Sequence, residues 1–138
     1  VLFRSMFWDE RLPRQGNVEL YRQLCDVGRE AHRAALLPDA GLWEYRERVE
    51  VHTFSTAMCW AAQRSLGMIA RRVGLDAESR EWLAHAGVLR QEVLQRILRF
   101  AEELGMRVVK SIDSPIKGKK GNHEHLAILE VVAPFRDM

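Results

Sequence analysis

An acid between two aromatic rings is the feature of this chain most suited to chemistry. Trp43-Glu44-Tyr45 lies within Pro38-Asp39-Ala40-Gly41-Leu42-Trp43-Glu44-Tyr45-Arg46, and Val51-His52-Thr53-Phe54-Ser55 and Met58-Cys59-Trp60 follow it. Apolar neighbours desolvate a carboxylate and favour its protonated form, so a glutamate in this setting is suited to act as a general acid. Trp43 offers a flat apolar face on which a sugar ring could stack. A plainer assignment stands beside it, with Glu44 a loop acid paired to Arg46 or Arg48 and Trp43 a core anchor.

The other reactive side chains carry weaker signals. Ser55 has no histidine and aspartate at a spacing that marks a nucleophilic set. His32, His52 and His85 are single residues on or beside helices, in the manner of packing or surface groups. His123 and His125 are two apart and would share a strand face, but no third ligand follows, so no metal is expected. Cys25 and Cys59 form neither a disulfide framework nor a CxxC pair, and both read as buried thiols of a reducing compartment. With no apolar run approaching the ~20 residues of a membrane span and no secretory leader pattern, the cytoplasm is the expected location.

These residues must be held by helices. Asn17 can cap a helix to about Leu36, with Leu20, Leu24, Val27, Ala31 and Ala35 as its apolar stripe. Pro38-Asp39-Ala40-Gly41 breaks the pattern into the loop that carries Glu44. Thr53 or Ser55 opens a second helix that Gly74 ends, and its first half, Ala57-Met58-Cys59-Trp60-Ala61-Ala62, is apolar all round, as in a helix buried on every side. Asp76 caps a third helix to Leu104, with Trp82, Ala86, Leu89, Val93, Ile97, Phe100 and Leu104 on one face. After Gly105 the period shortens. Residues 106–112 and 125–132 read as two strands around a loop with Pro115, Gly118 and Gly121. Val1-Leu2-Phe3-Arg4-Ser5 looks like a translated sequencing-adaptor stretch and is set aside from fold reasoning.

Charge follows the same division. Residues 1–105 balance 15 basic against 15 acidic side chains, whereas residues 106–138 hold six basic against four acidic, so the whole net charge of +2 lies in the tail. An excess this small does not by itself indicate nucleic-acid binding.

The ordered run over residues 38–60 resembles glycoside hydrolase family 15, the glucoamylases and related trehalase- and dextran-cleaving enzymes, and the likeness extends over about residues 6–88. The resemblance implies part of an (α/α) six-hairpin toroid, here three main helices followed by a short β-hairpin, in a mainly α chain. It implies Glu44 as general acid, with Trp43 and Arg46 in a sugar-binding wall for α-linked glucosides. The match at Arg46 is looser, because the family often has a Gly-rich turn where this chain has Glu47-Arg48-Val49. Inverting hydrolysis needs a second carboxylate, roughly 6.5–9.5 Å away, to activate water. In the family that base lies well downstream, and nothing marks Asp39, Glu47 or Glu50 as its replacement. The expectation is an acid without a base, no cofactor, no activity alone, and self-association through apolar faces that the rest of a toroid would cover.

The tail has a second resemblance. Ser114-Pro115-Ile116-Lys117-Gly118, with Gly121-Asn122 and Glu124, is similar to the closing hairpin of haemolysin A-like rRNA 2'-O-methyltransferases, over about residues 90–132. It implies weak RNA contact by Lys117, Lys119 and Lys120, while the S-adenosylmethionine site of that family has no counterpart upstream. Two families meeting near residues 86–95 imply a chimeric or truncated frame, with residues 6–88 glycosidase-like and residues 89–138 the helix end and hairpin tail.

Overall fold

The computed structural model describes residues 2–41, 49–117 and 123–132. Its elements run α1 (Leu2–Trp8), α2 (Val18–Ala34), α3 (Thr53–Arg72), α4 (Asp76–Glu103), β1 (Met106–Lys117) and β2 (His123–Val131). The chain is mainly helical and ends in a two-stranded antiparallel hairpin, as its periodicity predicts. It divides into two compact units, residues 1–93 and 94–138, and the division falls inside α4.

In the first unit, Phe7, Tyr21, Cys25, Leu66, Ile69 and Ala70 form the buried core, with Trp8, Leu20, Leu24, Val73, Leu75 and Trp82 packed against it. Residues 2–5, set aside on sequence grounds, form part of α1, and the Asp9 amide donates to the Ser5 carbonyl at 2.8 Å. Burial of Phe7, only 1% exposed, ties this helix to the core.

Asn17 caps α2 as expected, its Oδ1 accepting from the Leu20 amide at 3.0 Å. The predicted stripe is met in part: Ala35 is buried and Leu20 and Leu24 pack against the core, but Tyr21, Cys25 and Gly28 are buried too and Val27 is 65% exposed. The reason lies in Gly28: a Cβ there would stand 2.1 Å from Leu66 Cδ1 and 3.1 Å from Trp82 Cη2. Its bare backbone lets α2 approach Leu66 of α3 closely, and that turns the glycine face inward and the Val27 face outward.

Helix α3 ends where predicted, with Gly74 at φ 81°, the left-handed conformation that glycine adopts without steric cost. Its apolar first half is not enclosed on all sides, since Phe54 and Met58 are 51% and 53% exposed. The buried positions are Thr56, Gln63, Leu66, Gly67, Ile69 and Ala70, a single face that includes two polar side chains. The expectation of burial all round fails because Phe54 and Met58 keep about half their surface in water and Ala57, Cys59, Trp60, Ala61 and Ala62 are only partly buried. Of the predicted α4 stripe, Ala86 and Leu89 are buried while Ile97 and Phe100 stay about half exposed.

In the second unit, Gly105 at φ 83° turns the chain out of α4 into β1. The register pairs Met106 with Val131, Val108 with Leu129, Lys110 with Ile128 and Asp113 with His125. Val109 is an extra residue between two pairs, and a second irregularity lies between Asp113 and Lys117. Pro115 accounts for the second, because proline has no amide hydrogen for the ladder.

Candidate functional site

The expected acid and its sugar-binding neighbours, Trp43, Glu44 and Arg46, lie outside the described residues. So do Lys119 and Lys120, and of Lys117 only the backbone, at the end of β1, is described. The structure does define the residues on either side of positions 42–48, which form a neck. Asp39 and Glu50 form an antiparallel bridge, with Asp39 N donating to Glu50 O at 2.8 Å and Glu50 N to Asp39 O at 3.1 Å. Deeper in, the buried Thr56 hydroxyl donates to the Ala35 carbonyl at 2.9 Å, pinning the start of α3 to the end of α2.

Asp39 has a structural task at this neck. The Ser55 hydroxyl, the Gly41 amide and the charge of His52 hold its carboxyl below the ordinary carboxylate range, so it is ionised. His52 Nε2 stands 4.0 Å from Asp39 Oδ1, too far for a hydrogen bond. Gly41 takes φ 69° against the His52 ring, where a Cβ would meet Nε2 at 2.8 Å. Cys59 is half-buried rather than buried, and desolvation together with the Asp39 charge pushes its thiol up, away from the reactive thiolate.

Two further clusters escaped sequence reasoning, one because its members are far apart in the chain and one because its pairing depends on strand register. The first lines a cleft of about 310 Å³ that includes Cys25, Arg29, His32, Glu81, Trp82 and His85. His32 and His85 stack with ring centroids 4.4 Å apart, and the fully buried Gln63 amide donates to His32 Nδ1 at 3.2 Å. Below them the Tyr21 hydroxyl donates to Glu78 at 2.8 Å and accepts from Trp82 Nε1 at 3.0 Å. Burial, with hydrogen bonds around it, pushes the Tyr21 hydroxyl well above its ordinary range, so it stays neutral.

The second cluster is on the hairpin. His125 places Nδ1 2.9 Å from Asp113 Oδ1 and Nε2 in hydrogen-bond contact with Ser111 Oγ. The i, i+2 spacing of Ser111 and Asp113 was the available signal, but it acquires meaning only once the register sets His125 opposite Asp113. Among the described residues no group of three or more His, Cys, Asp or Glu side chains is placed to hold a metal ion. No helix among them is long and apolar enough to cross a membrane.

No family model matches the chain, and no solved structure matches it. Similarity to known proteins is partial and points to glycoside hydrolases. A trehalase of Thermoplasma volcanium is 32% identical over 59 residues, 43% of this chain and 10% of that protein. A trehalase of Mycobacterium tuberculosis is 33% identical over 58 residues, 42% of this chain and 8% of that protein. The chain therefore spans about a tenth of the length of these curated relatives, and its likeness is to part of a glycoside hydrolase.

Proposed function

We propose that residues 6–88 are a segment of an inverting glycoside hydrolase acting on α-linked glucosides, of the toroidal kind, with Glu44 as the proton donor. The observation that carries this reading is the partial identity to two trehalases, together with the Trp43-Glu44 motif. Trp43 and Arg46 would contact the sugar, and no cofactor is required. Nothing marks Asp39, Glu47 or Glu50 as the second carboxylate, so on this reading the chain alone has a proton donor and no base. The exposed Phe54 and Met58 belong to a face that the remainder of a toroid would cover, which favours self-association of the isolated chain.

The test is a graft. The matching segment of the Thermoplasma volcanium trehalase is replaced by that of this chain, and trehalose hydrolysis is measured with and without Glu44→Gln. Activity in the graft that Glu44→Gln lowers by ~10²–10⁴-fold is the expected result for loss of a general acid. A graft that is equally active with the Glu44→Gln substitution overturns the assignment.

A second reading concerns the tail and is favoured by the hairpin over residues 106–131, the element that its resemblance implies. Residues 89–138 would then descend from an rRNA methyltransferase C-terminus, joined to the first segment in a chimeric frame, with Lys117, Lys119 and Lys120 on phosphate. An S-adenosylmethionine site is not carried with them. Replacing the three lysines by alanine should weaken RNA binding and flatten its salt dependence by up to about three phosphate contacts. No change in that slope rules the RNA reading out.

A further inference from the structure

Ser111 and Asp113 stand two apart on β1, so they share a face, and His125 of β2 is the cross-strand partner of Asp113. A carboxylate has no hydrogen to give, so in the 2.9 Å contact His125 Nδ1 carries the proton and Asp113 accepts it. In the neutral ring that leaves Nε2 with a lone pair, and the Ser111 hydroxyl donates to it. The imidazole side chain is only 21% exposed while the Asp113 side chain is 64% exposed, so the ring is sheltered and its tautomer is set from the solvent side. A hydroxyl bonded to a base that a third group orients is the arrangement that activates a serine.

We propose that Ser111 is an activated nucleophile with His125 as its general base and Asp113 as a positioning residue, and that this hairpin face accepts acyl groups from small activated esters. Ser111 Oγ bonds to the ester carbonyl carbon while His125 Nε2 takes the hydroxyl proton. Collapse of the adduct breaks the bond to the leaving oxygen, which departs as the alcohol with the proton from His125. Water then attacks the acyl carbon and passes a proton to His125. Ser111 is expelled and recovers its hydrogen, so that ester and water become acid and alcohol. The substrate class follows from the setting: the three side chains stand on a two-stranded hairpin with the Asp113 side chain 64% exposed, so the site lies open to water. With little binding energy to assist the chemistry, the leaving group must be good, as in an aryl acetate.

The test treats the full chain with p-nitrophenyl acetate, following nitrophenol release and mapping the acetyl group by peptide mass. The expected result is a burst with acetyl on Ser111, abolished in Ser111→Ala and slowed by ~10²-fold or more in His125→Gln. Asp113→Asn should slow acylation with KM little changed, and Asp113→Glu should recover part of the rate, which a purely structural contact would not do. If Ser111→Ala perturbs the hairpin, Ser111→Cys supplies a second measurement. Peptide-mapped alkylation of the introduced thiol by iodoacetamide should be ~10-fold faster with His125 than in the His125→Gln background. Acetyl spread over lysines without preference for Ser111, or equal alkylation of the introduced thiol in both backgrounds, overturns the proposal.

Discussion

Gly28→Ala tests whether the α2–α3 contact sets the packing of the first unit. The added methyl would sit 2.1 Å from Leu66 Cδ1, against about 3.5–4.0 Å for relaxed carbon contact, so Leu66 must retreat by more than about 1 Å. Leu66 is 5% exposed and the added methyl would also stand 3.1 Å from the Trp82 ring, so little open space receives it. Overpacking of this kind costs about 1–3 kcal/mol, while alanine in place of glycine within a helix returns about 0.8–1.0 kcal/mol. The net expectation is a loss of about 1 kcal/mol, or roughly 3–5 °C in Tm for a chain of this size.

The assay is urea unfolding followed by circular dichroism, run as a double-mutant cycle with Leu66→Ala. Leu66→Ala alone should cost about 2–5 kcal/mol by opening a cavity. In the double variant the methyl added at position 28 enters that cavity, so the combined loss should fall short of the sum by about 1 kcal/mol or more. A Gly28→Ala protein more stable than the parent, or strictly additive losses, would refute the close-approach reasoning.

Three shorter expectations follow from the same structure. Thr56→Val removes the donor to the Ala35 carbonyl, leaves that buried oxygen unpaired, and should cost about 1–3 kcal/mol in urea unfolding, with Thr56→Ser retaining most of the stability. Asn17→Ala removes the α2 cap and should cost about 1 kcal/mol, with Asn17→Asp tolerated. Asp39 has a depressed folded-state pKa, so its contribution is present above the unfolded carboxylate value and is lost as pH falls through the folded one. The Tm gap between the parent and Asp39→Asn should therefore be widest near neutrality and close in acid, and a gap that widens in acid would contradict the contacts at the neck.

The elements were legible in the sequence wherever a local signal decided them. Asn17 as cap, Gly74 and Gly105 as terminators, and the shortened period after Gly105 all appear as read. What the sequence hid was the rotation of faces. On α2 the predicted stripe holds at Leu20 and Leu24, which pack against the core, but Val27 turns outward because Gly28 permits close approach, and pattern analysis gives glycine no hydrophobic weight. The all-round apolar start of α3 misled in the opposite direction, because composition reports what a helix can bury and not what is there to bury it. Of the site, the residues chosen by motif, Trp43, Glu44 and Arg46, lie outside the described residues, while the clusters of His32 with His85 and of Ser111, Asp113 and His125 are set by register and helix crossing. No spacing rule joins His32 to His85 across fifty-three positions, and none fixes which hairpin residue faces His125 before the register is known.

The neck also bears on how Glu44 would have to work if the proposed glycosidase reading holds. A carboxyl that keeps its proton near neutrality needs apolar, water-poor surroundings or a nearby negative charge. Asp39 is an ionised carboxylate at the neck, and after burial its charge is the second cause that pushes the Cys59 thiol up. The apolar half of the requirement is only partly met by this chain, since Phe54 and Met58 at the start of α3 are about half exposed to water. On the glycosidase reading, a segment covering Phe54 and Met58 would supply more of the apolar surroundings that a proton donor requires.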